Sequence, residues 1–170
     1  MVTASGGNTA SELMLMSMVS GANEFQINTY TEGDQKNPST TLLEDGHFVT
    51  TWESQNQDGS GYGIYGQLHN ADGTMLGGEF QIHTYNSNTS ASQTQPSVTA
   101  LKNGDFVVTW ESNYQDTTSS DYGIYGQRFD TNGSPKGDEF RVHTQITGSQ
   151  VDPSVTALDN GGFVVTWEGE

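Results

Sequence analysis

From residue 24 onward apolar positions alternate with polar ones instead of recurring every three or four. In Phe106-Val107-Val108-Thr109-Trp110-Glu111 a period of two puts Phe106, Val108 and Trp110 on one face and Val107 and Thr109 on the other. Both faces are partly apolar, so the strand predicted here belongs inside a stack of sheets. Pro96-Ser97-Val98-Thr99-Ala100-Leu101 leads into it through Asn103-Gly104, a dipeptide that accepts positive φ, which predicts a hairpin with a two-residue turn. In Glu79 to Tyr85, Phe80, Ile82 and Thr84 fall on one side and Gln81, His83 and Tyr85 on the other. Helical periodicity is absent after residue 20.

This pattern returns three times. NPSTTLLEDGHFVTTWES (37–54), QPSVTALKNGDFVVTWES (95–112) and DPSVTALDNGGFVVTWEG (152–169) are copies of one hairpin; YGIYGQ occurs at 62–67 and 122–127; EFQINT, EFQIHT and EFRVHT begin at Glu24, Glu79 and Glu139. The tryptophans Trp52, Trp110 and Trp167 are 58 and 57 residues apart. Each unit predicts four short strands, and the units run over about 23–78, 79–137 and 138–170. The last unit lacks YGIYGQ, whereas residues 1–22 carry an additional apolar stretch, Leu13 to Val19. Eleven repeat strands and this one make twelve. The expected fold is all-β, a β-propeller-like array of three four-stranded antiparallel sheets, with a three-sided β-prism or a β-trefoil as alternatives.

The N-terminal segment, with Leu13, Met14, Leu15, Met16, Met18 and Val19, is expected to supply the strand missing at the other end, in its own chain or in a neighbouring copy. It is too short to span a bilayer and has no basic region or small-residue cleavage pattern of a signal peptide. Thr 21, Ser 17, Asn 12 and Gln 12 with Gly 21 are the palette of a turn-rich β protein, and Cys 0 removes disulfides and thiolate metal sites. The net charge is −16; five scattered cations cannot form the positive stripe that nucleic acid requires, and they disfavour anionic membrane.

GFVVTWE, YGIYGQRFD and GDEFRVHT, in that cyclic order with NG turns, resemble the acidic tandem repeats of very large secreted bacterial proteins of the calcium-binding, RTX-type, adhesin-like kind. The likeness covers residues 23 to 170. It implies an extracellular or cell-surface setting, export without a cleaved N-terminal signal, and a role in adhesion or matrix building. The RTX calcium nonapeptide GGxGxDxUx does not occur.

Among candidate sites, the turns Asn70-Ala71-Asp72-Gly73 and Asp130-Thr131-Asn132-Gly133 offer fewer oxygens than a calcium loop needs and read as hairpin turns. The acidic loops with Asp58, Asp116 and Asp121 read as solvated. No metal site or cofactor is expected beyond a structural calcium ion. Glu53, Glu111 and Glu168 each follow a repeat Trp; three equivalent carboxylates argue against the unequal environments an acid–base pair needs. His83 and His143 read as surface strand residues. The tryptophans read as core, while Tyr62, Tyr122, Tyr65 and Tyr125, with Gln67 and Gln127, are the candidate ligand contacts for sugar rings. The expected function is therefore a non-enzymatic extracellular structural or adhesive module that assembles with itself into a surface fibre or matrix by N-terminal strand complementation. The alternative is a lectin-like carbohydrate-binding propeller with surface glycans as partners.

Overall fold

The computed structural model of the chain describes the backbone of residues 15–16 and the residues 24–85, 91–116 and 121–169. Every element is a strand: β1 (Leu15–Met16), β2 (Phe25–Gln26), β3 (Gln35–Leu42), β4 (Phe48–Gln55), β5 (Tyr62–His69), β6 (Met75–Gln81), β7 (Gln93–Ala100), β8 (Phe106–Asn113), β9 (Tyr122–Phe129), β10 (Phe140–Arg141), β11 (Gln150–Ala157) and β12 (Phe163–Gly169). They form four antiparallel sheets: A (β1-β2), B (β3-β4-β5-β6), C (β7-β8-β9-β10) and D (β11-β12). The EFQ strand thus closes one sheet, and the PS hairpin opens the next.

The Asp45-Gly46, Asn103-Gly104 and Asn160-Gly161 hairpins differ from the expected two-residue turn. Gly46 N donates to Leu43 O and Leu43 N to His47 O, and the glycine alone has positive φ, so the loop is the three-residue form ending in a left-handed glycine. The Asn70 and Asp130 turns repeat this geometry. There Asp72 Oδ1 accepts Thr74 N and Asp130 Oδ1 accepts Asn132 N and Ser134 N, which commits these oxygens to their own turns.

Sheets B, C and D fan out from their first strands. Val98 N donates to Ser39 Oγ (3.1 Å), Ala100 N to Thr41 Oγ1 (3.3 Å) and Val155 N to Ser97 Oγ (3.1 Å), so β3, β7 and β11 line the inner edge. The main core lies between B and C, where Val49, Ile64, Leu68 and Ile82 meet Phe106, Val108, Trp110 and Phe129. Ile27, beyond β2, packs on Phe48, Trp52 and Tyr65 of sheet B. Leu101, just after β7, and Val107 of sheet C meet Val155 of sheet D. Burying these faces is what stabilises a chain with no disulfide.

Equal sequence does not bring equal burial. Trp52 and Trp110 are fully buried, whereas Trp167 is 40 % exposed, and β12 is largely exposed where β8 is wholly buried. The N-terminal strand does not cover β12 of its own chain; Leu15 pairs with Gln26 and Met16 with Phe25. Leu13, Met14, Met18 and Val19 lie outside the described residues.

Candidate functional site

Polar and ionisable side chains gather where β3 and β7 begin, at one end of the fan's inner edge. Each of these strands, and β11 after them, starts with a bulge before a proline, and the bulged residue is left-handed: Asn37 at φ 52°, Gln95 at 52° and Asp152 at 53°. Such a conformation is unfavourable for a non-glycine residue and needs an external hold. For Gln95 and Asp152 the glutamate after the repeat Trp of the preceding sheet supplies it. Glu53 Oε1 accepts Gln95 N (2.8 Å), and Glu111 Oε1 accepts Asp152 N (2.7 Å).

The two carboxylates are equivalent in sequence but not in surroundings. Lys36 faces Glu53 in the β3–β4 register, with Nζ 3.5 Å from Oε2 and 4.1 Å from the Tyr62 ring centroid, and Asn37 Nδ2 donates to Glu53 Oε1 (2.6 Å). Burial works against the Lys36 ammonium, but the neighbouring Glu53 and Tyr62 lift its pKa above the ordinary lysine value. In the next copy Thr94 takes the place of Lys36, and its hydroxyl donates to Glu111 Oε2 (3.0 Å). Burial pushes the Glu111 carboxyl up, against the Asp152 N–H and the Thr94 hydroxyl, and the Glu53 charge adds to the rise. Burial also raises Tyr122, helped by the charges of Glu111 and Glu53, so these groups share one field. Glu168 has Val151 opposite it and is exposed. The expectation that repetition would equalise the carboxylates is corrected: one lysine, one threonine and one valine separate them.

Tyr62 and Tyr122 are half-buried at the rim of this cluster. Tyr65 and Tyr125 are buried, and burial raises both phenols, Tyr65 to about 12. Gln67 and Gln127 are buried as well, their amides donating to Leu68 O and Gly77 O, and to Arg128 O and Gly137 O. The two amides fasten the hairpin between the third and fourth strands, while Tyr65 packs on Phe48 and Trp52 and the Tyr125 hydroxyl donates to Asp116.

His83 and His143 are not surface residues either; each is 2 % exposed. Ile64 N donates to His83 Nδ1 (3.1 Å) while Nε2 meets Asp58 Oδ2 (3.0 Å); Ile124 N and Asp116 hold His143 in the same way, at 3.0 and 2.6 Å. The His83 contact, helped by Ser60, holds the Asp58 carboxyl down to about 2. Asp116 also accepts from the Tyr125 hydroxyl and faces Arg141 at 3.4 Å. The sequence signal for these pairs is the glycine of YGIYGQ, since a Cβ at Gly63 or Gly123 would overlap the imidazole. Among the described residues no three His, Cys, Asp or Glu side chains gather as a metal site. No helix among them is long and apolar enough to cross a membrane.

No family model and no curated protein matches the chain. Solved structures do. An α-L-arabinanase from Penicillium chrysogenum, complexed with arabinobiose, matches with a TM-score of 0.62 at 16% identity, over 89% of this chain and 47% of that one. A thermostable family-43 glycoside hydrolase matches at 0.55 and 14%, over 81% and 49%. An endo-arabinase from Bacteroides thetaiotaomicron matches at 0.54 and 13%, over 84% and 54%. The chain therefore spans about half the length of these proteins. The expectation of a non-enzymatic fibre or adhesive module, with a lectin as alternative, is corrected by these matches, since the structures that share the architecture are glycoside hydrolases. What the likeness establishes is the fold, a β-propeller-like array of antiparallel sheets.

Proposed function

We propose that this chain is part of a carbohydrate-active propeller that cleaves glycosidic bonds, with Glu111 as proton donor and Glu53, whose charge acts on it, as the second carboxylate. The observation that carries this reading is the pair's inequality. Glycoside hydrolysis needs one carboxyl that keeps its proton and one carboxylate that acts as base or nucleophile. Glu111, buried beside a hydroxyl, is pushed toward the protonated form, while Glu53 faces an ammonium. Tyr62 and Tyr122 at the rim would stack on sugar rings. The arabinanases and the family-43 enzyme that share the fold support a plant-type polysaccharide as substrate class. The extracellular setting implied by the acidic repeats suits such a polymer.

The test is release of reducing ends from arabinan and xylan by the purified chain and by Glu111→Gln and Glu53→Gln. A glutamine oxygen still accepts the main-chain N–H of Asp152 or Gln95, so the fold survives while proton transfer is lost. Each variant should lower the rate by about 10²–10⁴-fold with an unchanged circular dichroism spectrum. A wild-type chain inert on both polymers, or a Glu111→Gln variant as active as wild type, would refute the proposal.

A further inference from the structure

The Lys36 side chain sits beside its repeat carboxylate in the manner of a bound ligand. Its ammonium lies 3.5 Å from Glu53 Oε2 and 4.1 Å from the centre of the Tyr62 ring, and 43 % of the side chain is exposed. Glu53 is buried, and among the described residues its Oε2 accepts no hydrogen bond, so the ammonium is what answers that charge. The frame around this ammonium recurs in the next sheet. Lys36 pairs with Glu53, Glu53 with Ile64 and Gln55 with Tyr62; Thr94 pairs with Glu111, Glu111 with Ile124 and Asn113 with Tyr122. Carboxylate and phenol stand in the same register twice, but threonine replaces the lysine and carries no charge. Among the described residues no lysine or arginine faces Glu111. Lys102 pairs with Asp159, Arg128 and Lys136 with Asp105, and Arg141 with Asp116. Two carboxylates and one ammonium leave this end of the inner edge one positive charge short.

We propose that the place beside Glu111 and Tyr122 is a binding site for the primary ammonium group of a small-molecule ligand, held there as Lys36 is held in the preceding copy. The ammonium donates to Glu111 Oε2, which has a lone pair left beside the one that accepts the Thr94 hydroxyl. Its carbon stem lies on the Tyr122 ring, whose face attracts the charge. Carboxylate and ring together select this group. An alcohol has no charge, a sodium ion has no stem to lay on the ring, and tetramethylammonium has no N–H to donate. The charge of −16 on the chain raises the concentration of cations around it. One consequence rests on the hydrolase reading: an ammonium beside Glu111 holds its carboxylate charged, without the proton that a donor needs, so the ligand inhibits. Occupancy itself rests on the repeated register alone.

Because Asp152 N–H donates to Glu111 and Gln95 N–H to Glu53, these two amides report the two places separately in nuclear magnetic resonance spectra. Titrating the full chain with n-butylammonium, a lysine side chain without its backbone, should shift the Asp152 amide to saturation and the Gln95 amide less. n-Butanol, sodium and tetramethylammonium should each need at least about tenfold more for the same shift. Thr94→Lys, which supplies the ammonium from the chain itself, should abolish the Asp152 response. Lys36→Thr, which vacates the first place, should raise the Gln95 response to match that of Asp152, and it keeps the test open to failure if Thr94→Lys does not fold. An Asp152 amide that stays still, that moves as far with sodium, or that still moves in a folded Thr94→Lys chain would overturn the proposal. So would a Lys36→Thr chain whose Gln95 response is unchanged. Release of reducing ends, measured alongside, separates the two readings. Binding without inhibition supports this site and removes Glu111 as proton donor, and binding by a chain inert on arabinan and xylan supports this site while the hydrolase reading falls.

Discussion

Replacing Gly123 by alanine tests whether the buried Asp116–His143 pair is the reason YGIYGQ begins with a glycine. A Cβ at this position would lie 2.2 Å from Asp116 Oδ2 and 2.5 Å from His143 Cε1, closer than real contacts allow. Gly123 does not have positive φ, so alanine meets no backbone penalty and the cost is steric. The pair cannot retreat easily. Asp116 is tied to Tyr125 and Arg141, and His143 to the main chain of Ile124. Either the 2.6 Å Asp116–His143 contact opens, losing a charge-assisted hydrogen bond, or the methyl overpacks the sheet. Each route costs about 1–3 kcal/mol and the chain takes whichever is cheaper, so we expect about 1–3 kcal/mol, or a Tm lower by about 2–12 °C for a domain of this size. The control is Gly46→Ala, where φ is +87° and no atom lies within 4 Å, so only backbone strain of about 1 kcal/mol applies. Urea titrations of both variants, and of Asp116→Ala with and without Gly123→Ala, give the coupling. If Gly123→Ala costs no more than Gly46→Ala, or if its cost is unchanged once Asp116 is removed, the account of this motif is wrong.

Three more outcomes follow from the same packing. His69 is fully buried, stacked on Phe48 at 4.9 Å, and its repeat equivalent is Phe129, stacked on Phe106 at 5.2 Å; His69→Phe should stabilise by about 1 kcal/mol. Burial lowers the His69 pKa, so the unfolded chain takes up the proton first and stability falls below about pH 6.5; in thermal melts His69→Phe should flatten that slope. Asp58 is held down from 3.8 to about 2, so its contribution is complete above about pH 4 and is lost as the pH falls toward 2; solvent screening leaves about 1–2 kcal/mol, which acid titration of Asp58→Asn against wild type should isolate. Trp110→Ala should cost about 3–5 kcal/mol, and Trp167→Ala about 2–3 kcal/mol less, since roughly 100 Å² of that side chain already meets solvent; equal denaturation midpoints would refute this.

The strands were legible because alternation and repetition point the same way. FVVTWE at 106–111 and 163–168 forms a second strand in both places, and the twelve strands among the described residues agree with the repeat count. What period alone cannot reveal is which sheet a strand closes. EFQIHT begins a unit when the chain is laid on itself, yet its first three residues end sheet B, because hydrogen-bond partners are chosen in space and a cyclic repeat has no marked beginning. Burial was legible only where a neighbouring sheet exists. Trp110 and Trp167 have the same sequence before them, and only Trp110 has a third strand beside it.

The candidate site was hidden for the opposite reason: the repeats drew attention to what is common, and the chemistry lies in what differs. Glu53 and Glu111 look interchangeable when motifs are aligned, and both do the same mechanical work of holding a left-handed bulge. Their surroundings diverge at a position outside the motif, where Lys36, Thr94 and Val151 stand opposite the three glutamates. Lys36 sets an ammonium beside Glu53, whereas Thr94 sets only a hydroxyl beside Glu111, where the rise caused by burial stays in place. A duplicated strand thus supplies two carboxylates already positioned by the main chain, and a single substitution beside each one is enough to give them unlike neighbours. The same rule applies to His69 and Phe129, and to Asn28 and His83, where one member of a repeat carries a titratable ring and its equivalent does not. In a repeat of this kind the informative positions are therefore the mismatches that face a shared, buried partner.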